Sequence, residues 1–234
     1  MTALPFARHR VTELTDKFQI SIVSNHSHFE STMFISIDGI DGCGKSTQVE
    51  YLANRLRQQG HNVFTCRDPG STQLGEAVRG ILLSRHDLDI CRMSEMLLFM
   101  AARAQMVQEM IRPALESDKI VVTDRFLLST IIYQGYAGKI AVADIEQVGA
   151  VATAGILPDL CFVLDLPLEI AKSRMSDRET DRMERMDSDY HEQVRQGFLK
   201  HAKTAPERFV ILDATQPMDV VAELICEIVF RAIC

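Results

Sequence analysis

Met33-Phe34-Ile35-Ser36-Ile37-Asp38-Gly39-Ile40-Asp41-Gly42-Cys43-Gly44-Lys45-Ser46 is the stretch on which the fold turns. Its opening half is a short apolar run that reads as a buried strand. The second half matches G-x-x-x-x-G-K-[ST], with Gly39, Gly44, Lys45 and Ser46 at the defining positions. Glycines let backbone N–H groups turn inward around phosphate oxygens, and a helix opening near Lys45 points its positive end at the same anion. Lys45 then reaches the β- and γ-phosphates of a nucleoside triphosphate, and the Ser46 hydroxyl suits Mg²⁺. An amphipathic pattern follows directly, with Val49, Leu52, Ala53 and Leu56 on one face, until Gly60 stops it. Strand, glycine loop and helix in this order distinguish a phosphate cradle from a chance glycine-rich turn.

Working outward, Asn62–Cys66, Ile120–Asp124, Leu160–Leu164 and Phe209–Leu212 are further strand candidates, apolar and too short for helices. Helical patterns separate them. One covers residues 74 to 84. Another covers 92 to 112, where Met93, Met96, Leu97, Met100, Ala104, Val107 and Ile111 form a stripe. A last helix starts at Pro217 and carries Val220, Val221, Leu224, Ile225 and Ile228 on its apolar face. Strand–helix alternation with near-continuous apolar strands predicts a single-domain α/β fold, a parallel sheet with helices on both faces. Ligands of such sheets bind at the carboxyl ends of the strands.

The 234-residue chain carries a formal net charge of −7, which disfavours nucleic acid as a partner and requires local cations for any phosphorylated ligand. Six cysteines lie without CxxC spacing or a His cluster, the pattern of reduced thiols in a cytoplasmic protein rather than of a metal site. No apolar run approaches the ~20 residues that cross a bilayer, so no membrane is expected. Residues 1–32 are polar and mixed in charge. They read as a disordered extension or a start-site artefact, with residues 33–234 as the functional domain.

Four segments now stand in order: the phosphate loop; Arg67-Asp68-Pro69-Gly70-Ser71-Thr72; Leu98-Phe99-Met100-Ala101-Ala102-Arg103; and Asp124-Arg125-Phe126-Leu127-Leu128-Ser129-Thr130. Together they resemble the thymidylate kinases, from about Met33 to the C-terminus. The resemblance implies a P-loop fold of the nucleoside-monophosphate-kinase type with a small mobile lid at about residues 172–187. It also implies transfer of a phosphate from ATP to dTMP with Mg²⁺, in dTTP biosynthesis, and commonly a homodimer. The stripe of residues 93 to 111 suits such an interface or an ordinary core face equally.

Residue by residue, the resemblance implies that Gly39, Ile40, Asp41, Gly42, Cys43, Gly44, Lys45, Ser46 and Thr47 hold ATP, with Ser46 and Asp124 toward Mg²⁺. Phe99 stacks on thymine; its plain alternative is a core residue. Arg103 hydrogen-bonds the base, against a salt bridge as alternative; a guanidinium only donates, which suits a carbonyl edge. Thr130 and Gln134 line the base pocket, Tyr133 crowds the sugar 2′ position, and Asp41 meets the 3′-hydroxyl. Arg79 holds the acceptor phosphate, Asp68 belongs to the same nucleotide site, and Arg125 meets the acceptor phosphate and the moving group. Where part of the family has an arginine in the phosphate loop, this chain has Gly42. Its catalytic cations are therefore expected in the lid, at Arg174, Arg178 and Arg182. Phe126 replaces a more usual tyrosine or histidine, Asp68 a glutamate and Ser71 a glycine.

Other small kinases of the same fold remain alternatives, although Arg125 with Arg79 favours a phosphorylated acceptor over a nucleoside. A GTP-dependent switch lacks its N-K-x-D stretch here. A binding-only paralogue is disfavoured by Lys45, Ser46, Asp124 and Arg125 all being present. Cys43, beside Lys45 and a helix start, is expected to have a lowered pKa and to react as a thiolate.

Overall fold

Five strands form one parallel sheet: β1 Phe34–Gly39, β2 Val63–Arg67, β3 Ile120–Asp124, β4 Leu160–Asp165 and β5 Phe209–Asp213. They are arranged β2-β3-β1-β4-β5 in a computed structural model that describes residues 32–84, 88–175 and 181–233. The chain leaves β1 for one side of the sheet and returns to the other, so β3 and β4 diverge around the carboxyl end of β1. That switch point is where the Gly39–Ser46 loop lies. β1 and β3 are buried along their whole length, as strands covered on both faces must be.

The helices are α1 Lys45–Gln58, α2 Gln73–Leu83, α3 Arg92–Met106, α4 Arg112–Glu116, α5 Leu127–Thr130, α6 Val142–Thr153, α7 Leu168–Arg174, α8 Ser188–Ala202 and α9 Met218–Ile233. α1 buries Val49, Leu52, Ala53 and Leu56 and packs on β1, β2, β3 and α9, which fixes the direction in which its first turn points. α8 covers β4 and β5. Thr72 caps α2, its hydroxyl accepting from the Gly75 N–H at 2.8 Å. Ser71 just before it has φ 67°, a left-handed conformation that accounts for the glycine preferred there; its hydroxyl accepts from the Arg67 N–H at 2.8 Å.

The helix expected over residues 92–112 differs in two ways. Met96, Met100, Met106, Val107 and Ile111 are buried, whereas Met93 and Leu97 are 46% and 47% exposed. The buried face also carries Glu95 and Arg103, which lie between the residues of the expected stripe. The α-helix also ends at Met106 and widens into a π-helical stretch, Val107–Ile111, before α4. Pro113 supplies no N–H and its ring would crowd the carbonyl four residues back, and a wider turn relieves both problems. A second π-helical stretch, Ile131–Ala137, follows α5.

Leu52 is fully buried beneath the loop-bearing end of α1. Leu52→Ala should lower unfolding stability by about 2–5 kcal/mol through lost apolar contact and a residual cavity. Urea denaturation of the two proteins measures this directly.

Candidate active site

The loop after β1 folds around its own lysine. Gly42 and Gly44 have φ 79° and 97°, values that glycine adopts without strain. Lys45 Nζ donates to the Ile40 carbonyl at 2.9 Å and lies 3.5 Å from an Asp41 carboxylate oxygen. Facing it from the end of β3, Arg125 donates to the Gly39 carbonyl at 2.8 Å and to Asp41 at 2.5 Å. Asp41 thus sits between two cations, making with them contacts of the kind a phosphate makes.

Arg125 adopts φ 68°, an uncommon backbone state for a residue with a side chain. Several bonds hold it there. Its N–H donates to Ile37 at 3.0 Å, and the Thr123 hydroxyl donates to its carbonyl at 2.8 Å. Its guanidinium also donates to Ser129 at 3.0 Å and lies 5.2 Å from the Tyr133 ring centroid. Ser129 in turn donates to buried Asp38 at 2.8 Å, while Ser36 donates to the other Asp38 oxygen at 2.9 Å. Burial pushes the Asp38 carboxyl above the usual carboxylate range, against the pull of Ser129 and Arg125. Asp38 and Ser129 were missed in the sequence. The available signal was an acid closing an apolar strand.

Ser46 donates to Asp124 at 2.5 Å, joining the first turn of α1 to the end of β3. A hydroxyl and a carboxylate are hard oxygen donors, and Mg²⁺ takes few protein ligands of this kind, so these residues fit the ion.

A second constellation is built on α3. Arg103 is fully buried and donates to Asp68 at 2.5 Å, Thr130 at 2.8 Å, the Phe126 carbonyl at 3.4 Å and Met100 Sδ at 3.1 Å. A guanidinium has five N–H donors, so these bonds leave one on Nη1. Asp68 is 2% exposed and one of its carboxylate oxygens pairs with Arg103, as two charges buried this deeply must. Burial raises its carboxyl pKa, and Arg103 opposes the shift. Phe126 packs edge-on to Phe34, ring centroids 5.0 Å apart, with Arg103 over its face at 5.5 Å. Phe99 is half-buried against Val78, Leu82 and Ala102. Gln134 is buried and donates to Glu95 at 2.9 Å.

Tyr133 donates to Asp41 at 3.4 Å, and burial drives its phenol pKa well up. Arg79 donates to the Pro69 carbonyl at 3.0 Å; burial and the neighbouring Arg67 push its pKa down, a strain that an added anion would relieve.

These features sit in a chain whose residues 37–225 match the thymidylate kinase family model. The chain belongs to the thymidylate kinase family. It is 45% identical over 196 residues to the thymidylate kinase of Thermoanaerobacter sp. (strain X514), covering 84% of this chain and 96% of that one. The Rhodopirellula baltica thymidylate kinase is 44% identical, over 83% of this chain and 78% of its own length. The crystal structure of the Ehrlichia chaffeensis thymidylate kinase superposes with a TM-score of 0.68 at 34% identity, covering 85% of this chain and 99% of that chain. Five parallel strands with the phosphate loop at the switch point are the nucleoside-monophosphate-kinase form of the P-loop fold that the family uses. Membership carries the family's reaction, phosphorylation of dTMP to dTDP.

Of the arginines expected in the thymidylate kinase lid, the two that are described, Arg174 and Arg182, have different partners. Arg174 ends α7 and donates to the Ala214 carbonyl beyond β5 at 3.2 Å. Arg182 donates to the Leu82 carbonyl at the end of α2 at 2.8 Å and pairs with Glu95. The two are therefore tied toward opposite edges of the sheet. Arg178 lies outside the described residues. Gly42 faces the end of α7, where a Cβ would come 2.8 Å from the Ala171 carbonyl oxygen.

The expectation for Cys43 is reversed. Its side chain is 3% exposed, with Sγ packed against Gly39, and burial raises its pKa despite Lys45. Cys91 is exposed, and hydrogen bonding from Ser94 lowers its pKa. Iodoacetamide at neutral pH should therefore modify Cys91 first and leave Cys43 intact in the folded protein. Peptide mass spectrometry reads the order.

Proposed function

We propose that this chain converts dTMP to dTDP with ATP as phosphate donor and Mg²⁺ as the accompanying ion, and that the described geometry divides the work. The observation that carries the reading is the pairing of Asp41 with both Lys45 and Arg125 at the meeting point of β1 and β3. Phosphoryl transfer asks the protein chiefly to position two phosphates and neutralise charge between them. In this reading the loop Gly39–Thr47 cradles ATP through backbone N–H groups, and Lys45 exchanges Asp41 for the β- and γ-phosphate oxygens. Arg125 sits between donor and acceptor and meets charge as it develops. Asp41, released by both cations, is then available to the 3′-hydroxyl of dTMP. Ser46 and Asp124 hold Mg²⁺, which when bound neutralises charge shared by the phosphate oxygens.

On the acceptor side, Phe99 offers a flat face to thymine and Arg103 offers its remaining Nη1–H to the O4 carbonyl. Thr130 and Gln134 complete the base pocket, with Asp68 orienting Arg103 from below. Tyr133 borders the sugar, and Arg79 receives the acceptor phosphate. Arg174 serves the donor side and Arg182 the acceptor side, with Arg178 between them in sequence. A homodimer is supported by Ile81, Met93 and Leu97, which leave apolar surface on the adjacent helices α2 and α3. A cytoplasmic setting is supported by the free cysteines Cys43, Cys66, Cys91, Cys161 and Cys226.

A coupled assay with ATP, Mg²⁺ and a panel of dTMP, dUMP, dCMP and thymidine tests the reading. dTMP should be the preferred acceptor, and thymidine should be inert for want of the phosphate that Arg79 and Arg125 bind. Lys45→Ala should abolish turnover. Arg125→Ala should lower kcat by about 10²-fold or more, the scale of losing a positioned donor to transition-state charge. Turnover of thymidine at the dTMP rate, or near-normal kcat in Arg125→Ala, would overturn these assignments.

A further inference from the structure

Glu95 is a glutamate with no exposed surface, on the same face of α3 as Phe99 and Arg103. The spacing is four residues and then four again, so carboxylate, ring and guanidinium stand in a row about 12 Å long. Three donors from three parts of the chain converge on the carboxylate. Gln134 Nε2 donates to Oε1 at 2.9 Å, Arg92 donates to the same oxygen at 3.4 Å, and Arg182 pairs with Oε2.

A carboxylate met by two guanidinium groups only accepts hydrogen bonds. The side-chain amide of Gln134 therefore has no choice of orientation: its NH₂ must face Glu95, and its carbonyl Oε1 must face away. Turning the amide over would set two acceptors against each other in a buried site. Among the described residues no donor meets Gln134 Oε1. Thr130, four residues earlier in the chain, accepts from Arg103 at 2.8 Å.

We propose that Glu95 is a positioning residue that sets base selectivity by locking Gln134 as a hydrogen-bond acceptor toward the pyrimidine N3. The inference rests on the reading that the base lies against Phe99, Arg103 and Gln134. Thymine and uracil carry a hydrogen on N3, which Oε1 accepts. Cytosine presents a lone pair there, which Oε1 repels. Arg103 applies an independent filter at position 4, where its N–H suits a carbonyl and opposes an amino group. Glu95 touches no substrate and acts only through the amide it fixes.

The test measures kcat/KM for dTMP, dUMP and dCMP in the full chain. Glu95→Gln keeps size and shape but can donate or accept, so it frees the Gln134 amide to turn. The dTMP-to-dCMP preference should fall about tenfold or more, the scale of one mispaired buried polar contact. It should not invert, because Arg103 still filters. The dTMP-to-dUMP ratio should stay constant, since the two bases share the N3–H and the O4 carbonyl. Arg182→Ala, which also removes a Glu95 partner, should slow dTMP and dCMP alike and leave their ratio unchanged. In a Gln134→Leu background, Glu95→Gln should have no further effect on the ratio. If Gln134→Leu itself leaves the ratio unchanged, the base-pocket placement is wrong. If Gln134→Leu shifts the ratio but Glu95→Gln does not, or Arg182→Ala shifts it equally, the role given to Glu95 is overturned.

Discussion

A guanidinium that has left water must be surrounded by acceptors, and Arg125 is placed where the ends of β1 and β3 can supply them. Gly39 offers a carbonyl, Asp41 a carboxylate and Ser129 a hydroxyl backed by Asp38. Two belong to the phosphate loop and the third to the short helix α5. Leaving such a charge without partners costs several kcal/mol, so these pieces are obliged to meet. The left-handed backbone of Arg125 follows from the same demand, because it turns the side chain back across β1 rather than onward along β3.

A similar logic organises the acceptor side around Glu95 and Asp68. Two buried carboxylates hold buried or half-buried arginines, and those arginines hold carbonyls of α2 and of the segment after β3. In the proposed pocket, polar groups stand at the ends and Phe99 between them, and most of the guanidinium hydrogen bonds are taken by the protein itself. Such networks penalise a wrong partner strongly, because no water-like freedom remains to rescue a mismatch. In the proposed reading, selectivity and rigidity come from the same bonds.

The sheet was legible because its strands are short apolar runs bounded by turn residues, and the phosphate loop because its spacing is dictated by backbone chemistry. Arg103, Arg125 and Asp124 were recognisable as members of motifs. Glu95 was not, since its meaning lies in Gln134 and Arg182, which are 39 and 87 positions away. The pairing of Asp68 with Arg103 was not readable either, because it depends on burial and on a separation of 35 positions. Cys43 was misjudged for the same reason: proximity to Lys45 shows in the sequence, and the packing of its sulfur against Gly39 does not. The stripe of residues 93 to 111 concealed a change of helical form, because periodicity over a few turns barely separates an α-helix from one widened near Pro113.

Gly42 has a consequence for the substitutions open to this chain. Its missing side chain is matched by the end of α7, whose Ala171 carbonyl and Met175 side chain occupy the direction a Cβ would take. A single substitution to arginine would have to displace a helix that Arg174 anchors to the far edge of the sheet. A side chain at this loop position and a helix end packed against it therefore exclude each other. Filling this corner with a side chain would require the loop, the helix and its tether to change together.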